Sequence, residues 1–497
     1  MSNLKSLAKD TAIYGMSSIV GRFLNYLLTP LYTIKLSAAS GEYGIMTNMY
    51  AVTALVLVLL TFGLETTFFR FANKAGENAQ RVYSTTLIAV GTGALVFVVS
   101  VLLFLSPISA FMGYATHPSY IWVMALTVAI DSFLCIPFDY LRYRKRPVKF
   151  AALKLFAIVL SIVLNLVFYL LLPMLYEHYP DAVSCIYSPN VGVGYAFYIN
   201  LACSALTILF LLKELSGIRH GFDGQLMKRM LSYSWPILVL GIAGILNQTA
   251  DKILFPHIYR GSDVLTQLGI YGAASKIAMI MAMITQAFRF AYEPFVFGKS
   301  QDSDNRDTYA KAMKYFIVFT LFAFLVVIGY MDVLRYLIGR DYWDGLCVVP
   351  IVMAAEIMMG IYFNLSFWYK LIDKTIWGAY FSGIGCAVLI AVNVVFVPRF
   401  GYIACAWAGF AGYGVAMLLS YIVGQKKYPI AYPMKSILTY VALAAVCYYA
   451  MSNFNRMLST AAALLVNTLF IVLFAVYIVK TDFSLRHLPV IGKRFKK

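Results

Sequence analysis

Apolar segments of about 20 residues recur along the whole chain and are separated by short connections. A helix of about that length crosses the hydrocarbon core of a bilayer. The chain of 497 residues is 61% hydrophobic and only 12% charged, which excludes a soluble globular protein of ordinary composition. The sequence therefore predicts an all-α integral membrane protein.

About fourteen of these segments satisfy the length rule. They are predicted at 10–35, 42–64, 82–105, 119–140, 150–174, 190–212, 230–251, 266–288, 312–331, 347–369, 375–397, 401–424, 434–452 and 459–479. The first contains Arg22, and the apolar region of a signal peptide is normally uncharged. We therefore expect a retained first helix rather than a cleaved signal.

The distribution of basic residues provides a test of this count. With fourteen segments, most of the 40 Lys and Arg fall in connections on one side of the membrane, and the alternation holds along the chain. Connections rich in Lys and Arg lie on the cytoplasmic side. The pattern predicts that both termini are cytoplasmic. It also assigns the net charge of +18 largely to cytoplasmic loops, so we expect no nucleic-acid partner.

Two parts of the chain match each other at an offset of 228 residues. Gly44 matches Gly272, and Glu65 matches Glu293 at the same offset. Six predicted helices separate the copies, so both copies should cross the membrane in the same sense. This predicts two six-helix lobes related by a parallel repeat, followed by two C-terminal helices. The expected parts are 1–213, 214–424 and 425–497.

Lys276 lies inside the eighth apolar segment, where a charge that faces lipid costs at least about 2.5 kcal/mol. It forms a structural ion pair, extends its amine to the interface, or lines a path for an anionic substrate. The repeat aligns it with Asn48, so the position is polar in both copies. If the first two helices of each lobe face the other lobe, one substrate-binding cavity would contain Arg22, Asn25, Asn48, Asn247, Asp251 and Lys276.

Other charged residues fall into two groups. The first comprises carboxylates near mid-membrane, which would pair with a base, stay protonated or carry a coupling ion: Asp131 and Glu356. The second comprises charges at cytoplasmic helix ends, where a salt bridge would be static or would act as a gate: Glu65, Arg70, Arg289 and Glu293.

The sequence contains no recognisable catalytic motif. The five histidines do not cluster, and the chain has neither a phosphate-binding loop nor a zinc-protease motif. The seven cysteines show no metal spacing and no disulfide framework. We expect a protein that is not an enzyme and that uses no cofactor or metal.

Several segments carry a family resemblance. They are AIYGMSSIVGRFLNYLLTPLYTIKL, EYGIMTNMY, FDYLRYRKRPVKFAALK and SYSWPILVLGIAGILNQTADKILF. Together they resemble Wzx-type polysaccharide and O-antigen flippases of the multidrug/oligosaccharidyl-lipid/polysaccharide exporter superfamily. The resemblance covers essentially the whole chain. Its motifs are diffuse, so they indicate the family better than the substrate.

The resemblance implies fourteen helices in two lobes, a central cavity and alternating access. It implies transport of undecaprenyl-pyrophosphate-linked oligosaccharide to the outer leaflet of the bacterial inner membrane, among membrane lipids, with a glycan polymerase and glycosyltransferases as further partners. A cation-coupled multidrug exporter remains an alternative through Asp131 and Glu356. Lipid II flippases typically have more cavity arginines than this chain offers. The remaining alternative function is that of a membrane glycan polymerase or glycosyltransferase.

Overall fold

The computed structural model describes residues 20–21, 23–298, 306–372 and 374–482. Regular secondary structure in these ranges is helical, and they contain no β-strand. The prediction of an all-α chain is confirmed.

The α-helices follow one another with short connections. They are α1 (Leu28–Lys35), α2 (Glu42–Thr61), α3 (Leu64–Ala72), α4 (Ala79–Leu103), α5 (Leu105–Phe111), α6 (Pro118–Tyr143), α7 (Pro147–Leu166), α8 (Leu172–His178), α9 (Pro180–Val183), α10 (Gly194–Leu215), α11 (Gly224–Ile258), α12 (Val264–Gly298), α13 (Arg306–Gly329), α14 (Met331–Leu334), α15 (Val349–Leu365), α16 (Phe367–Leu371), α17 (Ile376–Phe400), α18 (Tyr402–Lys427), α19 (Met434–Met457) and α20 (Thr460–Thr481). A π-helical turn, Val167–Leu171, joins α7 to α8. Short 3₁₀ helices occupy Ala38–Ser40, Pro189–Val191, Ser216–His220, Arg335–Leu337 and Arg340–Val348.

Thirteen helices in the described residues are long and apolar enough to cross a membrane. They begin with Glu42–Ala72 and end with Thr460–Thr481. The chain is therefore a multi-pass membrane protein, as predicted. The structure describes only 20–21 and 23–35 of the predicted first span, 10–35, so the count of fourteen stays a prediction.

The chain packs as two compact units. The first comprises Met1–Gly272 and Asn393–Tyr402. In it α6 packs against α4 and α10, and α11 packs against α2 and α3. A core of buried side chains includes Phe68, Leu87 and Met230. The predicted lobe boundaries after 213 and 424 stay a prediction.

The second unit comprises Ala273–Val392 and Ile403–Lys497. In it α13 packs against α15, α19 and α20. Lys314 of α13 forms an ion pair with Asp482, and the Tyr440 hydroxyl donates to the same carboxylate at 2.6 Å. The ion pair thus joins α13 to the end of α20, the hydrogen bond joins α19 to the same carboxylate, and apolar packing adds to both.

A break in the backbone separates α2 from α3. Phe62 and Gly63 both adopt the left-handed conformation, with φ of 52° and 68°. This conformation is uncommon for a residue other than glycine. A Cβ on Gly63 would lie 3.0 Å from a methyl group of Ile237 on α11, so a larger residue there would crowd α11. Because of this break α3 is a separate short helix, and it carries Glu65 and Arg70.

Two glycines of the first unit allow α2 and the first part of α12 to approach closely. A Cβ on Gly44 of α2 would lie 1.9 Å from the carbonyl oxygen of Leu265 on α12. A Cβ on Gly272 of α12 would lie 2.3 Å from the Thr47 hydroxyl of α2. Small residues allow such close crossings of membrane helices. The two glycines are the pair that the repeat aligned, so the repeat marks a helix crossing.

Candidate functional site

Asn48 joins three segments of the first unit. Its side chain is 3% exposed on α2. Its amide nitrogen donates to the carbonyl oxygen of Lys252 at 2.9 Å, and its amide oxygen accepts from the Tyr114 hydroxyl at 2.9 Å. Burial raises the pKa of Tyr114, which keeps this donor protonated. The side chain connects α2, the segment after α5, and α11.

Asp251 lies beside this junction on α11. Its carboxylate accepts from the Tyr271 hydroxyl at 2.6 Å and is 3.0 Å from the Lys252 ammonium. The same ammonium lies 5.1 Å from the centre of the Tyr271 ring. The negative charge is therefore compensated by a cation and a hydroxyl. Sequence reasoning had identified Asp251 but had not paired it with Lys252 or Tyr271.

The remaining candidates of this group have different environments. Asn247 is buried one turn before Asp251, and its amide donates to the carbonyl of Ala243 at 2.9 Å. Asn25 is exposed, and Arg22 lies outside the described residues. The structure thus brings Asn48 and Asp251 together through Lys252. Substrate contact by any of these residues stays a prediction.

The charges that the sequence predicts near mid-membrane are half-buried. Lys276 and Glu356 belong to the second unit, on α12 and α15. Asp131 belongs to the first unit, and its carboxylate accepts from the Ser204 hydroxyl at 2.6 Å. This bond directs the Asp131 carboxylate toward α10. A substrate or coupling role for each of the three residues stays a prediction.

The gate candidates of the first unit lie on α3. Glu65 is half-buried and Arg70 is exposed. The Arg70 guanidinium lies 4.0 Å from the centre of the Tyr233 ring on α11. It thus contacts an aromatic face, where a cation is attracted by the ring quadrupole. The side chain of Glu293 lies outside the described residues.

A buried carboxylate near Glu65 was missed by the sequence analysis. Asp139 of α6 is 5% exposed and forms an ion pair with Arg142 at 3.1 Å. The Glu65 carboxylate is close enough to Asp139 and Cys135 to interact electrostatically with both. Asp139 lies one residue before the predicted end of its helix at 140. A charge at a helix end usually faces water, so nothing in the sequence singled out this residue.

A small, partly open pocket lies within the second unit, between α12, α15 and α16. Three aromatic and three polar side chains line it: Phe288, Phe363, Phe367, Thr285, Arg289 and Asn364. The Arg289 guanidinium lies 4.9 Å from the centre of the Phe363 ring. The sequence had singled out only Arg289, because the phenylalanines resemble any other apolar residues of a membrane helix.

Metal ligands do not cluster in the part of the chain that the structure describes. No group of three His, Cys, Asp or Glu side chains there could hold an ion.

Comparison with solved structures identifies the fold. A lipid II flippase, MurJ, in an inward closed conformation aligns with a TM-score of 0.71 and 14% identity over 95% of this chain and 99% of the flippase. A multidrug resistance MATE family transporter of the MOP superfamily, inward-facing, aligns at 0.62 and 16% identity over 81% and 93% of the two chains. The MATE multidrug transporter DinF-BH aligns at 0.60 and 18% identity over 85% and 96%. The TM-scores and the coverage establish a shared fold despite the low identities.

Sequence comparison identifies the family. No curated protein sequence matches this chain. The model of the family described as polysaccharide biosynthesis protein matches residues 7–291, which is more than half of the chain. The matched part contains the two glycines of the α2–α12 crossing and the Asn48, Asp251 and Lys252 group. The chain is therefore a member of the polysaccharide biosynthesis protein family, and it shares its fold with the MurJ and MATE structures.

Proposed function

We propose that the protein is a flippase for undecaprenyl-pyrophosphate-linked oligosaccharide in cell-surface polysaccharide biosynthesis. It would move this substrate from the cytoplasmic to the outer leaflet of the bacterial inner membrane by alternating access, with both termini in the cytoplasm. The observation that carries the proposal is the family match over 7–291. The fold shared with a lipid II flippase over nearly the whole of both chains supports it.

The charge of the substrate head group also supports the proposal. A pyrophosphate cannot cross hydrocarbon unless a cationic, hydrated path replaces its water shell. Arg22 and Lys276 are two cations that the sequence predicts at membrane depth. Arginine binds phosphate oxygens with two parallel N–H groups, and lysine acts as a point charge. A glycan polymerase and glycosyltransferases are the expected protein partners.

Removal of both cations tests this assignment. The double substitution Arg22→Ala and Lys276→Ala should abolish surface glycan, because the path would have lost its cationic partners for the pyrophosphate. Glycan is measured by immunoblot in a strain that depends on this gene. Membrane insertion is verified by the amount and the size-exclusion profile of the purified protein.

Two controls accompany this variant. Arg456→Ala removes an exposed arginine at the end of α19 and should leave export unchanged. The pair Arg22→Lys and Lys276→Arg keeps both charges and should retain export. Normal glycan in the double alanine variant would contradict the cavity assignment.

A cation-coupled multidrug exporter is the second candidate. The similarity to MATE transporters and the Asp131 carboxylate, held by Ser204, favour it. It predicts that expression protects cells from a cationic dye such as ethidium, and that Asp131→Asn or Glu356→Gln ends this protection. Ethidium sensitivity that does not change on expression would exclude this reading. Ser204→Ala removes the hydrogen bond to Asp131 but keeps the carboxylate, so it is the matched control for Asp131→Asn.

Two further readings remain testable in the same strains. A lipid II flippase would sustain growth when the cell's own lipid II flippase is depleted. A glycan polymerase or glycosyltransferase would change the chain length or linkage of the surface glycan, and intermediates would accumulate on the outer leaflet. The proposed flippase would change the amount of surface glycan but neither its chain length nor its linkage.

A further inference from the structure

The turn between α6 and α7 presents three consecutive cations. Because α6 ends at Tyr143 and α7 begins at Pro147, only Arg144, Lys145 and Arg146 connect the two helices. All three residues are exposed. None of them forms an ion pair with a residue that the structure describes. The turn therefore carries three positive charges that this part of the chain does not neutralise.

The basic residues on either side of the turn are already paired. Arg142 lies 3.1 Å from the Asp139 carboxylate, and Lys149 lies 2.7 Å from the Glu214 carboxylate. Both carboxylates are buried, on α6 and α10. Each already has a cationic partner, so neither is available to compensate the charges of the turn. The three cations between these pairs remain open to an external anion.

The backbone holds the turn in one conformation. The Arg146 N–H donates to the carbonyl of Leu141 at 2.9 Å, and the Lys145 N–H donates to the carbonyl of Arg142 at 3.0 Å. These two bonds form a Schellman motif, which ends a helix with a left-handed residue that is usually glycine. Here that residue is Lys145, with φ of 52°. A Cβ is unfavourable in this conformation, so a charged side chain occupies a position that suits glycine better.

The helix that leaves this turn has an open apolar face. Only 17% of the most apolar part of Pro147–His178 is buried, the smallest share among the thirteen spans found in the described residues. Val148, next to the turn, is 71% exposed. Further exposed apolar side chains follow on the same face at intervals of three or four residues: Phe156, Val159, Val163 and Leu166. In a membrane, this stripe on α7 faces lipid chains and ends at the three cations.

We propose that the α6–α7 turn and the apolar stripe of α7 together bind an anionic phospholipid of the surrounding bilayer. The phosphate would contact Arg144, Lys145 and Arg146, and an acyl chain would lie along the stripe. Basic residues at the end of a membrane helix attract anionic head groups, and arginine binds phosphate oxygens with two parallel N–H groups. This lipid is not the transported substrate, so the proposal goes beyond the proposed function and does not depend on it.

Lipid binding by the purified full-length protein in detergent tests the proposal. The probes are dioleoyl phosphatidylglycerol and dioleoyl phosphatidylcholine, which have the same chains but differ in net charge, and bound lipid is counted by native mass spectrometry. The wild-type protein should bind the anionic lipid about tenfold or more tightly than the neutral one. Added salt should reduce this preference, since the cations are exposed. Equal affinity for the two lipids would overturn the proposal.

A triple substitution locates the binding on the turn. Arg144→Gln, Lys145→Gln and Arg146→Gln together should reduce the preference to about twofold or less. The matched control removes the same total charge from three exposed lysines where α18 and α19 meet, by Lys426→Gln, Lys427→Gln and Lys435→Gln. This control should keep the wild-type preference. An equal loss in both triple variants would show that net charge attracts the lipid, and would reject the turn as the site.

Substitution of Lys145 separates binding from folding. Lys145→Gly suits the left-handed backbone, so it should raise the melting temperature in detergent without added lipid. It should nevertheless bind phosphatidylglycerol about fivefold more weakly, as expected for the loss of one cation near the membrane surface. Lys145→Arg should bind like the wild type. If the triple variant does not insert, undiminished binding by Lys145→Gly is the result that overturns the proposal.

A competitor distinguishes a phospholipid from a pyrophosphate-linked lipid. Farnesyl pyrophosphate combines an isoprenoid chain with a pyrophosphate, and it should displace phosphatidylglycerol no better than added phosphatidylglycerol does. Displacement at a much lower concentration, in the wild type but not in the triple variant of the turn, would show that the turn holds a pyrophosphate lipid. The assignment to a bilayer phospholipid would then be wrong.

Discussion

Replacing Gly44 with alanine should strongly destabilise the protein. The added methyl group would lie 1.9 Å from a backbone oxygen of Leu265, and a backbone cannot rotate away as a side chain can. Overpacking a close contact costs about 1–3 kcal/mol, and more when backbone must move. We expect about 3 kcal/mol or more, seen as a large loss of monodisperse protein and a lower melting temperature by fluorescence-detected size exclusion.

Gly93 provides the matched control for this experiment. It lies in α4, and a Cβ built on it meets no atom within 4 Å. Gly93→Ala should be neutral or slightly stabilising, because alanine restricts the unfolded chain more than glycine does. Gly272→Ala should behave like Gly44→Ala, although less severely, since the Thr47 side chain has some freedom to move. Equal stability of Gly44→Ala and Gly93→Ala would show that α2 and α12 do not cross at this glycine.

Replacing Lys252 with methionine should also cost several kcal/mol. The substitution would leave the Asp251 carboxylate, 7% exposed, with the Tyr271 hydroxyl but without its cation. Removing one partner of a buried ion pair costs about 3–5 kcal/mol. Because the Lys252 side chain is partly exposed, we expect a loss of stability near the lower end of this range. Thermal unfolding of the purified variant provides the measurement.

A second substitution distinguishes charge from packing. Asp251→Asn added to Lys252→Met removes the unpaired charge and should recover part of the lost stability. Lys252→Arg keeps the charge and should be the mildest of the three variants. If Asp251 instead contacts substrate, Asp251→Asn would abolish glycan export at unchanged melting temperature. A double variant less stable than Lys252→Met would contradict the ion-pair explanation.

The membrane helices could be predicted because their signal is local. Runs of about 20 apolar residues and the alternation of basic loops do not depend on packing. The predicted segment 42–64 ends at the break formed by Phe62 and Gly63. The sequence did not reveal that the helix resumes as α3 at Leu64, since α3 is held by packing against α11.

The site was predicted less completely because its contacts are non-local. The repeat identified Gly44 and Gly272, and a charge in an apolar run identified Lys276. Tyr114 escaped notice because it lies in a loop, and it reaches Asn48 only when the chain has folded. The phenylalanines of the Arg289 pocket escaped notice for a different reason: their composition is that of any membrane helix. Residue type alone does not reveal which aromatic rings surround a cation.

The hydrogen bond between Asn48 and the Lys252 carbonyl joins residues 204 positions apart, and this separation matters during synthesis. A ribosome releases α2 long before α11 exists, so the Asn48 amide first enters the membrane without its partner. An unpaired polar group in hydrocarbon is costly, so we expect the amide to be hydrogen-bonded temporarily to water, lipid head groups or the insertion machinery. The bond between Asn48 and Lys252 cannot form until about half of the chain has been made, and a ribosome that stalls before α11 would leave a fragment that quality control should recognise.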